Sequence, residues 1–461
     1  MIISVTLAAG EGTRMKSKIP KILHKICGKP LLEYVIDSCN RINVDKNIVV
    51  VGHGAEIVKE YFKDSSLIFK TQPISKDAPY GTGFAVMQAI DEISDDSIVI
   101  ILYGDTPLIT EETVRKLLDF HRTGNFDATV LSAIFENPEG YGRIIRDDEG
   151  NISKIVEDKD ATTFEKEINE INSGMYSFSG RALKYALGKL KNYNSQNEYY
   201  ITDVIRILND EEYKVGVFVI DNPIEVYGVN SRSQLALCEK VIQKRINEKL
   251  MLDGVTIIDP DNTYIEEDVT IGSDTIIYPG VTLEGNTIIG EDCIIRGNTR
   301  ITDSQILDRV YIESSVIESS TVGYDCHIGP YSHLRPDSHL GQNVKIGNFV
   351  EVKKATIMDN SKAGHLAYIG DAQVGKCVNV GCGVIFVNYN GREKFKTIVG
   401  DHAFLGSNSN LVAPVLIKDW GYIAAGSTIT KDVEEGDLSI ARAHQVNKEG
   451  WVEKKGFKKR K

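Results

Sequence analysis

A six-residue apolar repeat runs through the second half of the chain and constrains its fold more than any other feature. Aliphatic residues recur at every sixth position from Ile265 to Leu307, from Val316 to Val352 and from Val399 to Ile429, and glycine often follows directly. A period of six would distribute apolar side chains around a helix, and an ordinary strand repeats every two residues. It is typical of a parallel β-helix, in which each repeat supplies one short strand and a corner. We therefore predict a solenoid with these aliphatic residues pointing inward.

The first half has a different pattern. Apolar runs such as Asn47–Val51 and Ser97–Leu102 alternate with amphipathic stretches such as Pro30–Cys39 and Thr110–His121, the last with Thr110 as its N-cap. Strands that alternate with helices predict a mainly parallel sheet covered on both faces. In such sheets, ligands bind at the carboxyl ends of the strands.

A chain of 461 residues exceeds one ordinary core, so we expect more than one domain. The segment Ser231–Leu252 is rich in helix-forming residues and contains no proline. We predict an α/β sheet domain over residues 1–229, a linker helix over 230–252 and a β-helix domain over 253–461. The basic residues near the end, including those at 458–461, are expected to be a solvated terminus.

Composition excludes several classes of function. A net charge of −12 argues against nucleic acid as a partner, and no apolar run is long enough to span a membrane. The seven cysteines are scattered and form no Cys-x-x-Cys pair, which favours reduced thiols in a cytoplasm over a disulfide framework or a zinc site.

The connection after the first strand carries a candidate anion site. In Leu7-Ala8-Ala9-Gly10-Glu11-Gly12-Thr13-Arg14, two glycines let backbone N–H groups approach an anion, and Arg14 adds positive charge. Lys21 follows in the same connection. A tight strand-to-helix turn is the structural alternative. Asp105, after the run Ser97–Tyr103, is placed to bind Mg²⁺ at a strand's carboxyl end, although an isolated Asp more often only forms a turn.

A second candidate site lies in the solenoid. Three hexapeptides make one coil, so residues eighteen apart stack about 4.8 Å from each other on one face. Arg335 and Lys353 have this spacing, and each follows an inward aliphatic residue. Stacked cations repel unless an anion neutralises them, which favours a phosphate site over two solvated surface cations. His327, His333 and His339 are six apart and therefore lie on different faces, which excludes a three-histidine metal site there.

His365 could serve as a base, because histidine titrates near neutral pH. It comes twelve residues after Lys353, so it is expected on another face than the phosphate cations. A neighbouring subunit would then have to supply it. Three-sided prisms pack naturally as C₃ trimers, so we expect a homotrimer.

Taken together, the motifs of both halves resemble one family. They are Leu7–Arg14, Pro20-Lys21, Gly81-Thr82-Gly83, Tyr103-Gly104-Asp105, Gly140–Arg143, Glu157, Asn172, Glu198–Asp203, Gly228–Asn230, Arg335-Pro336, Lys353-Lys354, Ala363–His365 and Asn388-Tyr389. Their order resembles the sugar-1-phosphate nucleotidyltransferases, and within them the bacterial bifunctional N-acetylglucosamine-1-phosphate uridyltransferases/glucosamine-1-phosphate N-acetyltransferases. This resemblance implies a Rossmann-like nucleotidyltransferase domain joined to a left-handed β-helix.

The resemblance also implies roles in the uridyl transfer from UTP to N-acetylglucosamine-1-phosphate. Asp105 and Asn230 would bind Mg²⁺, while Arg14 and Lys21 would act on the triphosphate. Gln72, Gly81 and Thr82 would contact the uracil, and Gly142, Glu157 and Asn172 would hold the N-acetylglucosamine. The remaining substrate contacts would come from the end of the first strand and its loop and from the end of the strand before Asp105: Leu7, Ala8, Ala9, Gly10 and Tyr103.

For the acetyl transfer, the resemblance makes His365 the general base. Tyr368 and Asn379 would join Arg335 and Lys353 in holding glucosamine-1-phosphate. The co-substrate acetyl-CoA would contact Cys382, Asn388, Tyr389, Ser407, Ala425 and Arg442.

Two other hypotheses compete with the bifunctional enzyme. A single-activity nucleotidyltransferase could use the solenoid only for oligomerisation or regulation, but it would not need the Arg335/Lys353 pair or His365. A purely structural solenoid would call for a flat threonine ladder, which this sequence lacks.

Overall fold

The computed structural model describes residues 1–75 and 78–457, and the chain divides into two compact units, Met1–Ile242 and Gln243–Lys461. The basic residues at 458–461, for which a solvated terminus was expected, lie outside the described residues. Within the described ranges, no helix is long and apolar enough to cross a membrane.

The first unit is built on a mainly parallel sheet. Its strands are β1 (Ile2–Ala8), β2 (Lys25–Ile26), β3 (Lys29–Pro30), β4 (Lys46–Val51), β5 (Ile68–Thr71), β6 (Ile98–Tyr103), β7 (Ala128–Ile134), β8 (Gly142–Arg146), β9 (Ile152–Val156), β10 (Glu170–Ser179) and β11 (Val215–Val219). The main order is β11-β7-β10-β6-β1-β4-β5, with β10 antiparallel to its neighbours. Strands β8 and β9 branch from β10, while β2 and β3 form a separate hairpin.

The helices up to residue 252 are α1 (Leu31–Arg41), α2 (Ala55–Tyr61), α3 (Thr82–Met87), α4 (Glu111–Thr123), α5 (Thr163–Lys166), α6 (Gly180–Lys189), α7 (Asp203–Asp210) and α8 (Arg232–Leu252). Helices α1, α3, α4, α6 and α7 pack against strands of the sheet. Short 3₁₀ helices span Thr13–Met15, Lys21–Leu23, Ile90–Glu92 and Pro223–Val226. Helix α4 begins as its sequence predicts, because the Thr110 side chain accepts a hydrogen bond from the Thr113 N–H at 3.3 Å.

The register of the central strands places the site. Strand β1 pairs in parallel with β4 and β6, so Leu7 lies opposite Tyr103 where both strands end. The glycine loop and Asp105 therefore leave the same edge of the sheet, the carboxyl edge at which parallel sheets bind ligands. Buried aliphatic residues on both faces of the sheet, such as Val5, Ile101, Leu102 and Leu131, hold these strand ends in place.

The second unit is a coil of short parallel strands, as the six-residue period predicts. Among the described residues, one sheet has eleven strands: Thr256–Ile257, Ile276–Ile277, Ile294–Ile295, Tyr311–Ile312, His327–Ile328, Lys345–Asn348, Lys362–His365, Asn379–Val380, Phe404–Leu405, Tyr422–Ile423 and Leu438–Ser439. A curled sheet has seventeen: Tyr264–Ile265, Thr270–Ile271, Thr282–Glu284, Ile288–Ile289, Arg300–Thr302, Gln305–Ile306, Val316–Glu318, Thr321–Val322, His333–Leu334, His339–Leu340, Glu351–Ile357, Tyr368–Val374, Ile385–Val387, Thr397–Val399, Asn410–Val412, Val415–Ile417 and Thr428–Ile429. A short helix, Trp451–Lys454, follows.

The repeat departs from a strict period of six in one region. We predicted Leu307 and Val316 as inward residues, but both are only half-buried, and the fully buried residues are Ile306 and Ile317. The pairing explains the difference, because Ile289 lies opposite Ile306, seventeen residues on. A corner that is one residue shorter moves the inward position by one, so the prediction was wrong at these two positions.

Helix α8 contributes residues to both units, since the division falls after Ile242. The division of the chain at residues 229 and 252 stays a prediction.

Candidate active sites

A cleft opens at the carboxyl edge of the first unit's sheet. Residues predicted from the sequence form most of its lining: Leu7, Ala8, Ala9, Gly10, Lys21, Gln72, Gly81, Thr82, Tyr103 and Asp105. Sequence reasoning missed Ile22, Tyr80 and Ala85, and it assigned no role to Glu198, which also lines the cleft. Tyr80 directly precedes the motif Gly81–Gly83 and Glu198 is the first residue of the motif Glu198–Asp203, so these motifs were the signal that could have identified both residues.

The Gly81–Gly83 loop is held against the segment that contains Tyr199. A Cβ atom on Gly81, whose φ is +119°, would lie 2.5 Å from the Tyr199 carbonyl oxygen. The Gly83 N–H donates to that oxygen at 2.7 Å, and Thr82 Oγ1 accepts from the Ile201 N–H at 3.0 Å. This wall of the cleft therefore requires glycine at position 81.

A compact charged group lies inside the cleft. The Lys21 ammonium contacts the Asp105 carboxylate and lies 3.0 Å from Asn230 Oδ1. The side chains of Lys21 and Asp105 are only 12% and 16% exposed. The Val229 N–H donates to the Asp105 carbonyl at 2.8 Å and joins the two segments that carry the oxygen atoms.

This donor set fits a hard cation. A carboxylate and an amide oxygen converge on one position where the Lys21 ammonium stands in for a cation, and oxygen is the ligand type that Mg²⁺ binds. The described residues contain no group of three or more His, Cys, Asp or Glu side chains that could hold a metal. Substrate oxygens or water would therefore have to complete the coordination.

The residues expected to hold the sugar are Gly142, Glu157 and Asn172, on or directly after strands β8, β9 and β10. Asn172 pairs with Gly142 across β10 and β8, and Glu157, after β9, accepts from Thr202 Oγ1 at 3.1 Å. Burial raises the pKa of Glu157. Burial, and then the charges of Glu157 and Asp105, raise the pKa of Tyr103, so both carboxylates lie within electrostatic range of this side chain.

Arg14 is not part of the cleft wall. It lies on the 3₁₀ helix Thr13–Met15, where its side chain is exposed. Its role on the triphosphate stays a prediction.

In the second unit, the predicted cation pair lies on adjacent coils. Leu334 is opposite Val352, so Arg335, just after the strand His333–Leu334, lies at the same level as Lys353 in the strand Glu351–Ile357 of the next coil. Arg335 Nη1 donates to Glu351 Oε1 at 3.0 Å, which neutralises part of its charge. Lys353 has another cation beside it, because its ammonium lowers the pKa of Lys394. Sequence reasoning missed Lys394, which lies in the polar loop 388–396 between the strands Ile385–Val387 and Thr397–Val399.

Tyr368 and Asn388 approach this cation group. Tyr368 is opposite Glu351 on the next coil, and Asn388 Nδ2 donates to Tyr368 Oη at 3.3 Å and to the Asp371 carboxylate. The curled sheet therefore presents cations together with hydrogen-bonding side chains.

His365 and Asn379 lie in the eleven-stranded sheet, apart from those cations. His365 pairs with Asn348, and Asn379 pairs with Lys362 on the next coil. His365 is exposed. The base expected from the sequence and the expected phosphate cations thus occupy different sheets.

The residues expected to bind acetyl-CoA line up along one corner of the coil. The Asn408 N–H donates to the Cys382 carbonyl, and the Gly426 N–H to the Ser407 carbonyl, both at 2.8 Å. Ala425 precedes Gly426, and a Cβ atom on Gly426 would lie 3.9 Å from Arg442 Cδ. Tyr389, at the start of the polar loop, is 55% exposed.

Known families match both units. Residues 3–222 match the nucleotidyl transferase family, residues 260–338 the GMPPB C-terminal domain and residues 396–431 the hexapeptide repeat of succinyl-transferase.

Curated relatives match almost the whole chain. The bifunctional protein GlmU of Clostridioides difficile (strain 630) is 55% identical over 99% of this chain and 98% of that protein. The protein of the same name from Alkaliphilus metalliredigens (strain QYMF) is 54% identical over 99% of both chains. The one from Acetivibrio thermocellus (strain ATCC 27405) is 50% identical over 99% of this chain and 98% of that protein.

Proposed function

Because this chain belongs to the family of bifunctional GlmU proteins, we propose that its two clusters of residues divide two successive group transfers between them. The second unit acetylates glucosamine-1-phosphate with acetyl-CoA. The first unit then transfers UMP from UTP to N-acetylglucosamine-1-phosphate, giving UDP-N-acetylglucosamine and pyrophosphate. The observation that carries the proposal is that one chain holds both the Lys21–Asp105–Asn230 group and the Arg335–Lys353–Lys394 group.

In the uridyl transfer, an oxygen of the sugar phosphate attacks the α-phosphorus of UTP in line and pyrophosphate leaves. The protein needs only to position the reactants and neutralise charge. Lys21 and Arg14 act on the triphosphate, while Gln72, Gly81 and Thr82 hold the uracil. Gly142, Glu157 and Asn172 hold the sugar.

Asp105 and Asn230 would hold the metal, which we propose is Mg²⁺. When bound, it would neutralise negative charge on the phosphates. Lys21 contacts both ligands, so binding of the metal requires its ammonium to turn toward the phosphates.

In the acetyl transfer, the amine nitrogen of glucosamine-1-phosphate attacks the acetyl carbonyl carbon. The C–S bond of the thioester breaks and CoA leaves as a thiol. Arg335, Lys353 and Lys394 bind the phosphate, Tyr368 and Asn379 the sugar, and His365 takes the proton from the amine. Acetyl-CoA lies along the corner formed by Cys382, Ser407, Ala425 and Arg442, with Asn388 and Tyr389 beside it.

We propose that the working form is a homotrimer. His365 and Arg335 lie in different sheets, so a neighbouring chain can supply the base to the phosphate site. None of the seven cysteines, all of which are among the described residues, is joined in a disulfide, which supports a reducing, cytoplasmic location.

Incubation with glucosamine-1-phosphate, acetyl-CoA, UTP and Mg²⁺, followed by mass spectrometry, tests the proposal. UDP-N-acetylglucosamine and free CoA are the expected products. If N-acetylglucosamine-1-phosphate is converted but glucosamine-1-phosphate is not acetylated, the enzyme has a single activity and the solenoid serves another purpose. Repeating the assay with Mn²⁺ or Ca²⁺ in place of Mg²⁺ tests the choice of metal.

A further inference from the structure

The polar loop 388–396 is anchored to the solenoid through its first residue. Asn388 is 7% exposed, and its Nδ2 donates to the Asp371 carboxylate and to Tyr368 Oη. The other end of the loop returns to the same point, since the Phe395 N–H donates to the Asn388 carbonyl at 2.8 Å. The conformation of Asn388 therefore determines where the loop 388–396 leaves the β-helix.

We propose that Asp371 is a positioning residue for acetyl transfer, which fixes the orientation of the Asn388 amide and thereby the binding of acetyl-CoA. This inference rests on the proposed function. A carboxylate can only accept hydrogen bonds, so it holds the Nδ2 end of Asn388 toward itself and turns Oδ1 away. Oδ1 then remains available as an acceptor, which suits the amide N–H groups of the pantetheine arm of acetyl-CoA.

The backbone beneath this group is shaped for it. A Cβ atom on Gly370 would lie 2.8 Å from Asn388 Nδ2 and would also meet the Tyr368 hydroxyl. Asp371 itself has a φ of +49°, a left-handed conformation that Asp and Asn adopt more readily than other residues with a side chain. Position 371 therefore combines an unusual backbone with a carboxylate aimed at one buried amide.

Asp371 also acts on the phosphate side of the site. Its negative charge opposes the effect of Lys353 on Lys394, so it lies near enough to attract the Lys394 ammonium. A substrate phosphate would compete with Asp371 for this ammonium. Removal of the Asp371 charge should therefore weaken acetyl-CoA binding without weakening that of the sugar phosphate.

The variant Asp371→Asn tests this in the full-length protein. Asn tolerates the left-handed backbone, but its amide can offer either end to Asn388, so the orientation is no longer enforced. We expect the KM for acetyl-CoA to rise about 3- to 10-fold, with kcat within about 2-fold, because the lost interaction is present in the ground state. The KM for glucosamine-1-phosphate should stay unchanged or fall.

A double-mutant cycle tests whether Asp371 acts through Asn388. In an Asn388→Ala background, Asp371→Asn should have no further effect on the KM for acetyl-CoA. Asp371→Glu keeps an accept-only carboxylate and should restore part of the wild-type value. Asp274→Asn is the matched control, since Asp274 is exposed and has a φ of +60° on an early coil; its constants should equal those of the wild type.

Each outcome is decisive. A parallel rise of both KM values, or additive effects in the double variant, would mean that Asp371 only maintains the local fold, and would overturn the inference. An unchanged KM for acetyl-CoA would overturn it as well. Absence of acetyl transfer in the wild type would instead overturn the proposed function, so the two failures can be told apart.

Discussion

Acidification from pH 7 to pH 5 should destabilise the first unit through one buried histidine. His121 lies on α4 with 3% of its surface exposed, and its Nδ1 is 2.9 Å from Thr129 Oγ1 on β7. Burial lowers the pKa of His121 from 6.5 to about 4, opposed by Asp127. Unfolding exposes the imidazole, which then titrates near its ordinary pKa.

The sign and size of the effect follow from linkage. Between the two pKa values the unfolded chain binds a proton at His121 that the folded chain does not. The contribution of neutral His121 to the free energy of unfolding is therefore fully present above about pH 6.5 and is lost as the pH falls toward about 4. Through His121 alone, the free energy of unfolding is about 2 kcal/mol lower at pH 5 than at pH 7. Burial raises the pKa of Glu157 and of Asp203, and these carboxyl groups change stability in the opposite direction. The total pH dependence therefore does not isolate His121.

Comparison with His121→Asn isolates the contribution of the histidine, because an amide can still hydrogen bond to Thr129 but does not titrate. Urea unfolding can be followed by circular dichroism at 222 nm, since every described helix longer than four residues lies in the first unit, apart from the end of α8 after Ile242. The wild type should lose about 2 kcal/mol more than the variant between pH 7 and pH 5. Removal of the exposed His53 by His53→Asn is the control and should leave this difference unchanged. Equal losses in the wild type and in His121→Asn would refute the argument.

Three further predictions concern the sites. Asp105→Ala should abolish pyrophosphate release by uridyl transfer and leave acetyl transfer intact, because it removes one of two oxygens aimed at the metal position; near-normal release would exclude Asp105 from that position. Gly81→Ala should reduce uridyl transfer at least about 10-fold and leave acetyl transfer unchanged, since its methyl group meets the Tyr199 carbonyl; full uridyl-transfer activity would show that this wall can move. His365→Ala should lower kcat for acetyl transfer by about 10²–10⁴-fold, whereas Arg335→Ala should chiefly raise the KM for glucosamine-1-phosphate. A mixture of these two variants should recover acetyl transfer after subunit exchange. If mass spectrometry shows exchange but activity does not recover, the base and the cations of one site come from the same chain.

Local pattern was sufficient for much of the fold. A six-residue period can be satisfied only if each repeat buries its aliphatic residue in a coil, so the β-helix follows from the order of residues alone. Thr110 predicted the start of α4 because an N-cap involves only neighbouring residues. Likewise, Leu7–Gly10 and Asp105 were assigned to one cleft because strand ends in a parallel sheet meet at one edge.

The convergence of distant residues depended on tertiary structure. Lys21 meets Asp105 and Asn230 across separations of 84 and 209 residues, and no local rule specifies that contact. The pairing between coils also located the shorter corner, at which the inward positions move to Ile306 and Ile317. Lys394 comes close to Lys353 only because the polar loop 388–396 folds back on the β-helix. The sequence by itself determined the repeat and the strand ends, because these depend on neighbours along the chain; side-chain partners depend on how whole segments pack, and only the tertiary structure decided them.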